Sequence, residues 1–152
     1  MGAGADRLEA LRAALREAGV DGFVLARTDM YGSEYLPASE ERVAWLTGFT
    51  GSAARVVILP ETAALFTDGR YTLQVQDEVD TARFETPHLV HEPPATWLRA
   101  QAPEGLRLGY DPFLHLAAEL ERIEKAPQAF IRLFHGYNIC KMVVRVSDDP
   151  TG

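Results

Sequence analysis

Several short stretches of this chain bring chemistry-bearing side chains close together. In "ALFTDGRYTLQV", residues 64–75, an apolar run ends and an acid, a glycine, a base and a phenol follow as Asp68, Gly69, Arg70 and Tyr71. The planar fork of an arginine suits a carboxylate, and strand ends in α/β sheets commonly present ligand-contacting groups. The structural reading has Asp68 capping a helix that starts near Tyr71, Gly69 at positive φ, and Arg70 paired with an acid. Chemistry alone favours that second reading. His88 and His91, in "HLVHE", have the spacing of two ligands on one helical turn. Pro87 opposes a helix there, and the zinc-protease pattern needs Glu directly after the first His and a second His four residues on. These are read as surface histidines. The glycines of "GFTGSA" lack the Gly-Lys-Ser/Thr of a phosphate loop, so they mark a tight turn. Ser52 could be joined on paper with His115 and Asp111, but the Gly-x-Ser-x-Gly elbow is missing and the triad is set aside.

The elements that must position these residues follow from periodicity. Leu8, Leu11, Leu15 and Ala18 recur at helical spacing, predicting a helix over 6–18 with Asp6 as its cap and Gly19 as its stop. "GFVLA", 22–26, reads as a buried strand and 27–37 as a polar loop. A second helix is expected over 39–46, capped by Ser39 with Glu40 and Glu41 in its first turn. Residues 54–59 and 63–67 form an antiparallel hairpin about "PET". Residues 71–79 follow as a helix with Leu73, Gln76 and Val79 on one side. Residues 84–90 read as a further strand broken by Pro87, Pro93 and Pro94 open a helix, 106–110 is a strand, and 116–125 a helix. This order indicates an α/β domain with a mixed sheet of about five or six strands flanked by helices. Val24, Val57, Ile58, Leu65 and Phe66 are its expected core.

Composition narrows the function. The 152 residues are 47% hydrophobic and 24% charged, ordinary for a globular domain with a real core. Fifteen Lys and Arg against 22 Asp and Glu leave a net charge of −7, which argues against general affinity for nucleic acid or anionic membranes. Cys140 is the only cysteine, so an intrachain disulfide and a cysteine-based zinc site are excluded. The N-terminus lacks an apolar signal region, and no run nears the roughly 20 residues that span a bilayer. A cytoplasmic protein is expected.

Three motifs in register carry a resemblance: "SEY" at 33–35, "ERVAWLTGFTGSA" at 41–53 and "ALFTDGRYTLQV" at 64–75. Together with "LGYDPFLHLAAELERIEKA" they resemble the N-terminal domain of Xaa-Pro aminopeptidase, shared in looser form with prolidase and creatinase. The resemblance covers about 6–126; the domain is taken as 1–126, leaving 127–152 as an unmatched tail, with a final strand of the same domain as one reading. It implies a ribonuclease H-like fold. It also implies that chemistry belongs to a separate C-terminal pita-bread domain, absent here, where aspartates, a histidine and glutamates hold two divalent metals, often manganese. No cofactor is expected in this chain. The resemblance implies a non-catalytic domain that shapes substrate access and subunit association, in a family acting on peptides with proline second. Expected partners are a second copy or a separate catalytic domain. Trp45, Phe49, Asp68, Arg70 and Tyr71 are the candidates for a substrate- or partner-facing surface. A free-standing peptide- or protein-binding module with the same fold is the rival reading.

Overall fold

The computed structural model describes residues 2–27, 41–101, 106–110, 121–122 and 132–135. Helix α1, Gly2–Glu17, leads to strand β1, Gly22–Ala26, and helix α2 spans Arg42–Thr47. Strands β2, Arg55–Ile58, and β3, Ala63–Phe66, form the hairpin. A single 3-10 turn at Gly69–Tyr71 feeds helix α3, Thr72–Glu78. Helix α4, Pro94–Gln101, and strands β4, Arg107–Tyr110, and β5, Arg132–His135, follow.

The five strands lie in the order β3-β2-β1-β4-β5. β1 pairs antiparallel with β2, Val24 facing Val57, and parallel with β4, Phe23 facing Gly109. The sheet is therefore mixed, as the element order predicts. Alternate residues serve two cores. Phe23, Leu25, Val56, Ile58 and Leu65 pack with Leu8, Leu11 and Leu15 of α1, Val43 and Leu46 of α2, and Val75 of α3. Val24, Val57, Ala64 and Phe66 pack on the other face with Trp97 and Leu98 of α4. Helices cover both faces, so the central strands have no solvent side and read as continuous apolar runs. All five expected core residues are buried, each large one contributing roughly 1.5–3 kcal/mol by leaving water.

Several boundaries differ from expectation. α1 begins before Asp6, which therefore lies inside the helix and is no cap. Its end behaves as predicted: the Gly19 amide bonds to the Arg16 carbonyl at 3.1 Å and the Val20 amide to Leu15 at 3.0 Å, a Schellman closure. Glu41 occupies the cap position of α2 without a side-chain cap bond, and Ser39 lies outside the described residues. On α3 the buried residues are Val75 and, just past its end, Val79, four apart, while Leu73 is 82% exposed. Residues 84–90 are not a strand. They run along β3 through bridges at Ala64–Glu85 and Thr67–His88 only. The Glu85 amide bonds to Ala63, the Leu65 amide to Glu85 and the Leu89 amide to Thr67, at 2.8–2.9 Å. Buried Trp97 fastens this cover by donating its indole N–H to Glu85 at 2.8 Å. The loop at 28–37 and most of the expected helix 116–125 lie outside the described residues, Glu121 and Arg122 being helical.

Candidate partner-contact site

The hairpin folds two glycine-bearing segments against each other, residues 48–53 after α2 and residues 67–71 after β3. Gly48 closes α2 at φ 82°, a left-handed conformation that a side chain disfavours. Thr47 then turns the chain, its buried hydroxyl donating to the Val43 carbonyl at 2.7 Å and accepting from the Phe49 amide at 3.1 Å. From the other segment Thr67 donates to the Ala53 carbonyl at 2.7 Å. The Ser52 and Tyr71 hydroxyls are hydrogen-bonded, and the Phe49 and Tyr71 rings meet edge to face at 5.6 Å. Gly51 fills the gap between those rings: a Cβ there would lie 2.3 Å from Phe49 Cζ and 3.0 Å from Tyr71 Cδ1.

A second tie joins the same segment to α3. The Glu78 carboxylate accepts from the Thr50 amide at 2.9 Å and the Thr50 hydroxyl at 2.7 Å, and Gln74 reaches both Thr50 and Glu78. Partial burial works to raise the Glu78 carboxyl, but the bonds from Thr50 and Gln74 outweigh it and hold it below the usual range.

Asp68 accepts from the Arg70 amide at 3.0 Å, capping the 3-10 turn, and takes the Arg70 guanidinium through Nε at 3.1 Å and Nη2 at 2.8 Å. That side-chain bond is the main reason its carboxyl lies below its ordinary value. The guanidinium also sits 5.2 Å from the Tyr71 ring centroid. The Tyr71 phenol is drawn down first by its bond to Ser52, with the Arg70 charge adding to it. The structural reading of this corner is thus correct for Asp68 and Arg70. It fails for Gly69, whose φ is not positive. The Arg70 side chain is nonetheless 65% exposed, and Leu73, three residues on, is exposed as well.

The predicted site residues divide. Asp68, Arg70 and Tyr71 meet at the corner. Phe49 is 0% exposed and belongs to the core, so it presents no surface to a partner and serves by buttressing Tyr71. Trp45 is half-buried against the same core, with the Arg7 guanidinium 5.0 Å over its ring. Its indole N–H is buried without a partner among the described residues. Thr50, Ser52, Gln74 and Glu78 were not expected in the constellation. Gln74 and Glu78 are four apart on a helix leaving the corner, a spacing that puts both on one face. His88 and His91 stack at 4.3 Å. Among the described residues no three His, Cys, Asp or Glu side chains converge as metal ligands. Asp111 and His115 lie outside the described residues. The corner therefore brings together a forked, largely exposed cation and a phenol.

Residues 7–133 match the creatinase/prolidase N-terminal domain. The chain belongs to that family. Among the relatives of this creatinase/prolidase-type domain, Xaa-Pro aminopeptidase 2 of Homo sapiens is 37% identical over 107 residues, 70% of this chain and 16% of that protein. The Rattus norvegicus Xaa-Pro aminopeptidase 2 is 33% identical over 122 residues, 80% of this chain and 18% of that one. The chain thus spans less than a fifth of these relatives. An X-prolyl aminopeptidase of Caenorhabditis elegans, described as cytosolic with a di-nuclear active site, superposes with a TM-score of 0.78 at 26% identity, covering 93% of this chain and 25% of that one. The N-terminal domain of a cytoplasmic peptidase from Mycobacterium tuberculosis, 20% identical, shares the fold at a TM-score of 0.68, covering 91% of this chain and 98% of that domain. No helix among the described residues is long and apolar enough to cross a membrane. The residues described here do not fit a di-nuclear metal centre, so no catalytic step is assigned to them.

Proposed function

We propose that this domain is the non-catalytic N-terminal part of an Xaa-Pro aminopeptidase-like metallopeptidase, acting in the cytoplasm by shaping substrate access and subunit association. The observation that carries the reading is the extent of the match: most of this chain corresponds to less than a fifth of each aminopeptidase relative. In this reading the two divalent metals, often manganese, and the attack on peptides with proline second belong to a separate catalytic domain. The contribution of this chain is the corner at Asp68, Arg70 and Tyr71, with Trp45 as a further contact. Aromatic residues and arginine suit that role because they supply large area or forked hydrogen bonds at contacts. Asp68 preorganises the guanidinium, and Leu73, three residues on, adds exposed apolar area.

The purified chain incubated with Arg-Pro-Pro and manganese should release no amino acid; turnover that follows the folded protein through purification would overturn the non-catalytic assignment. Sedimentation at micromolar concentration should show a dimer that Arg70→Ala weakens. A monomer indifferent to that substitution would remove Arg70 from the association surface.

A further inference from the structure

The two ring nitrogens of His88 face different surroundings. Nδ1 faces its own turn, accepting from the Val90 amide at 3.1 Å and the His91 amide at 3.4 Å. Nε2 faces the neighbouring corner, 3.5 Å from where a Cβ on Gly69 would stand. The turn is closed further by the Glu92 amide on the His88 carbonyl at 2.8 Å, and it hangs from β3 by the Leu89 amide on Thr67 at 2.9 Å. A ring nitrogen can accept only while its lone pair is free, so this geometry requires the neutral tautomer protonated at Nε2.

We propose that His88 is a proton-operated latch on the 88–91 turn. As a neutral imidazole it holds Val90 and His91 by their amides. A proton taken from solvent at Nδ1 occupies the accepting lone pair, converts the acceptor into a donor and releases both amides. The charged and titratable groups around the ring set the balance. Asp68 lies within electrostatic reach of the ring. Arg70 is bound to that carboxylate, the His91 ring lies 4.3 Å away, and Glu92 follows on the same segment. Imidazoles as a class change charge between about pH 5 and 8, which sets the range to be tested. Protonation opens the segment next to the Asp68–Arg70 pair, so acidification would reshape the rim of that corner without unfolding the sheet.

Nitrogen NMR of the intact chain at pH 8 should show His88 with its proton on Nε2; a proton on Nδ1 would overturn the proposal in the unaltered protein. His88→Asn places a carbonyl oxygen where Nδ1 stands and cannot titrate. At pH 5 the Val90 and His91 amides of the unaltered chain should exchange about tenfold faster than those of His88→Asn at the same pH, with no difference at pH 8. His91→Gln should keep this response. Equal exchange in the unaltered and His88→Asn chains at pH 5, or a response that vanishes with His91→Gln, would refute the latch.

Discussion

Replacing Gly51 with alanine tests the packing of the two segments directly. The added Cβ would lie 2.3 Å from Phe49 Cζ, 2.8 Å from Cε1 and 3.0 Å from Tyr71 Cδ1. Carbon atoms rest at about 3.5–4.0 Å, so the nearest contact is short by about 1.2 Å. Phe49 is fully buried, and its ring meets Tyr71 edge-on at 5.6 Å. The ring can yield only by pressing on core neighbours or on Tyr71, which loosens the Ser52–Tyr71 bond. Overpacking of this kind costs about 1–3 kcal/mol, and a loss of about 2 kcal/mol is expected, or a Tm lower by roughly 4–8 °C in a domain of this size. Urea unfolding followed by the fluorescence of Trp45 and Trp97 measures it. Gly69→Ala is the control. Its Cβ would come no nearer than 3.5 Å to His88 and its φ is not positive, so stability should stay within about 0.5 kcal/mol. In a Phe49→Leu background, which removes Cζ, the cost of Gly51→Ala should fall by about 1 kcal/mol or more. Equal effects of the two glycine substitutions, or a Gly51→Ala cost untouched by Phe49→Leu, would refute the reasoning.

Three further outcomes are expected. Asp21 is held below its ordinary value by its bonds from Arg107, Asp68 by Arg70, and Glu78 by the net effect of Thr50 and Gln74. A depressed carboxyl stabilises fully above its unfolded pKa, so this contribution should be present at neutral pH and be lost as pH falls through about 4 and below; urea midpoints at pH 7 and pH 3 should converge slightly in Glu78→Gln. Ile58→Asp places an unpaired charge against the α1 side of the core and should leave no cooperative thermal transition. Trp97→Phe removes the donor to Glu85 and should cost about 2 kcal/mol while speeding amide exchange at Leu65 and Glu85, read by hydrogen-exchange NMR.

The sequence made the strands legible wherever burial on both faces left an unbroken apolar run, as in "GFVLA" and the "PET" hairpin. It misled at 84–90 because Phe84 is buried and the stretch carries β-type residues, although Pro87 interrupts them and only two bridges form. It misled on α3 because hydrophobicity singled out Leu73, whereas the direction of the helix out of the corner turns Val75 inward. The signature at 68–71 was visible and its local bonds followed from spacing. The ties from Ser52 to Tyr71 and from Thr50 to Glu78 join residues 19 and 28 positions apart, and only the hairpin brings them together. Phe49 shows the same limit: an aromatic in a glycine loop has the composition of a contact residue, and its burial is decided by what the hairpin places above it.

The cover that residues 84–89 lay along β3 also bears on how copies of this chain could accumulate. Open-ended growth through sheet edges requires every copy to offer two unpaired sides. Here the β3 side already spends its backbone groups on Glu85 and Leu89, so among the described residues β3 offers a neighbour no ladder to continue. Strand addition at β3 would first have to peel that segment away.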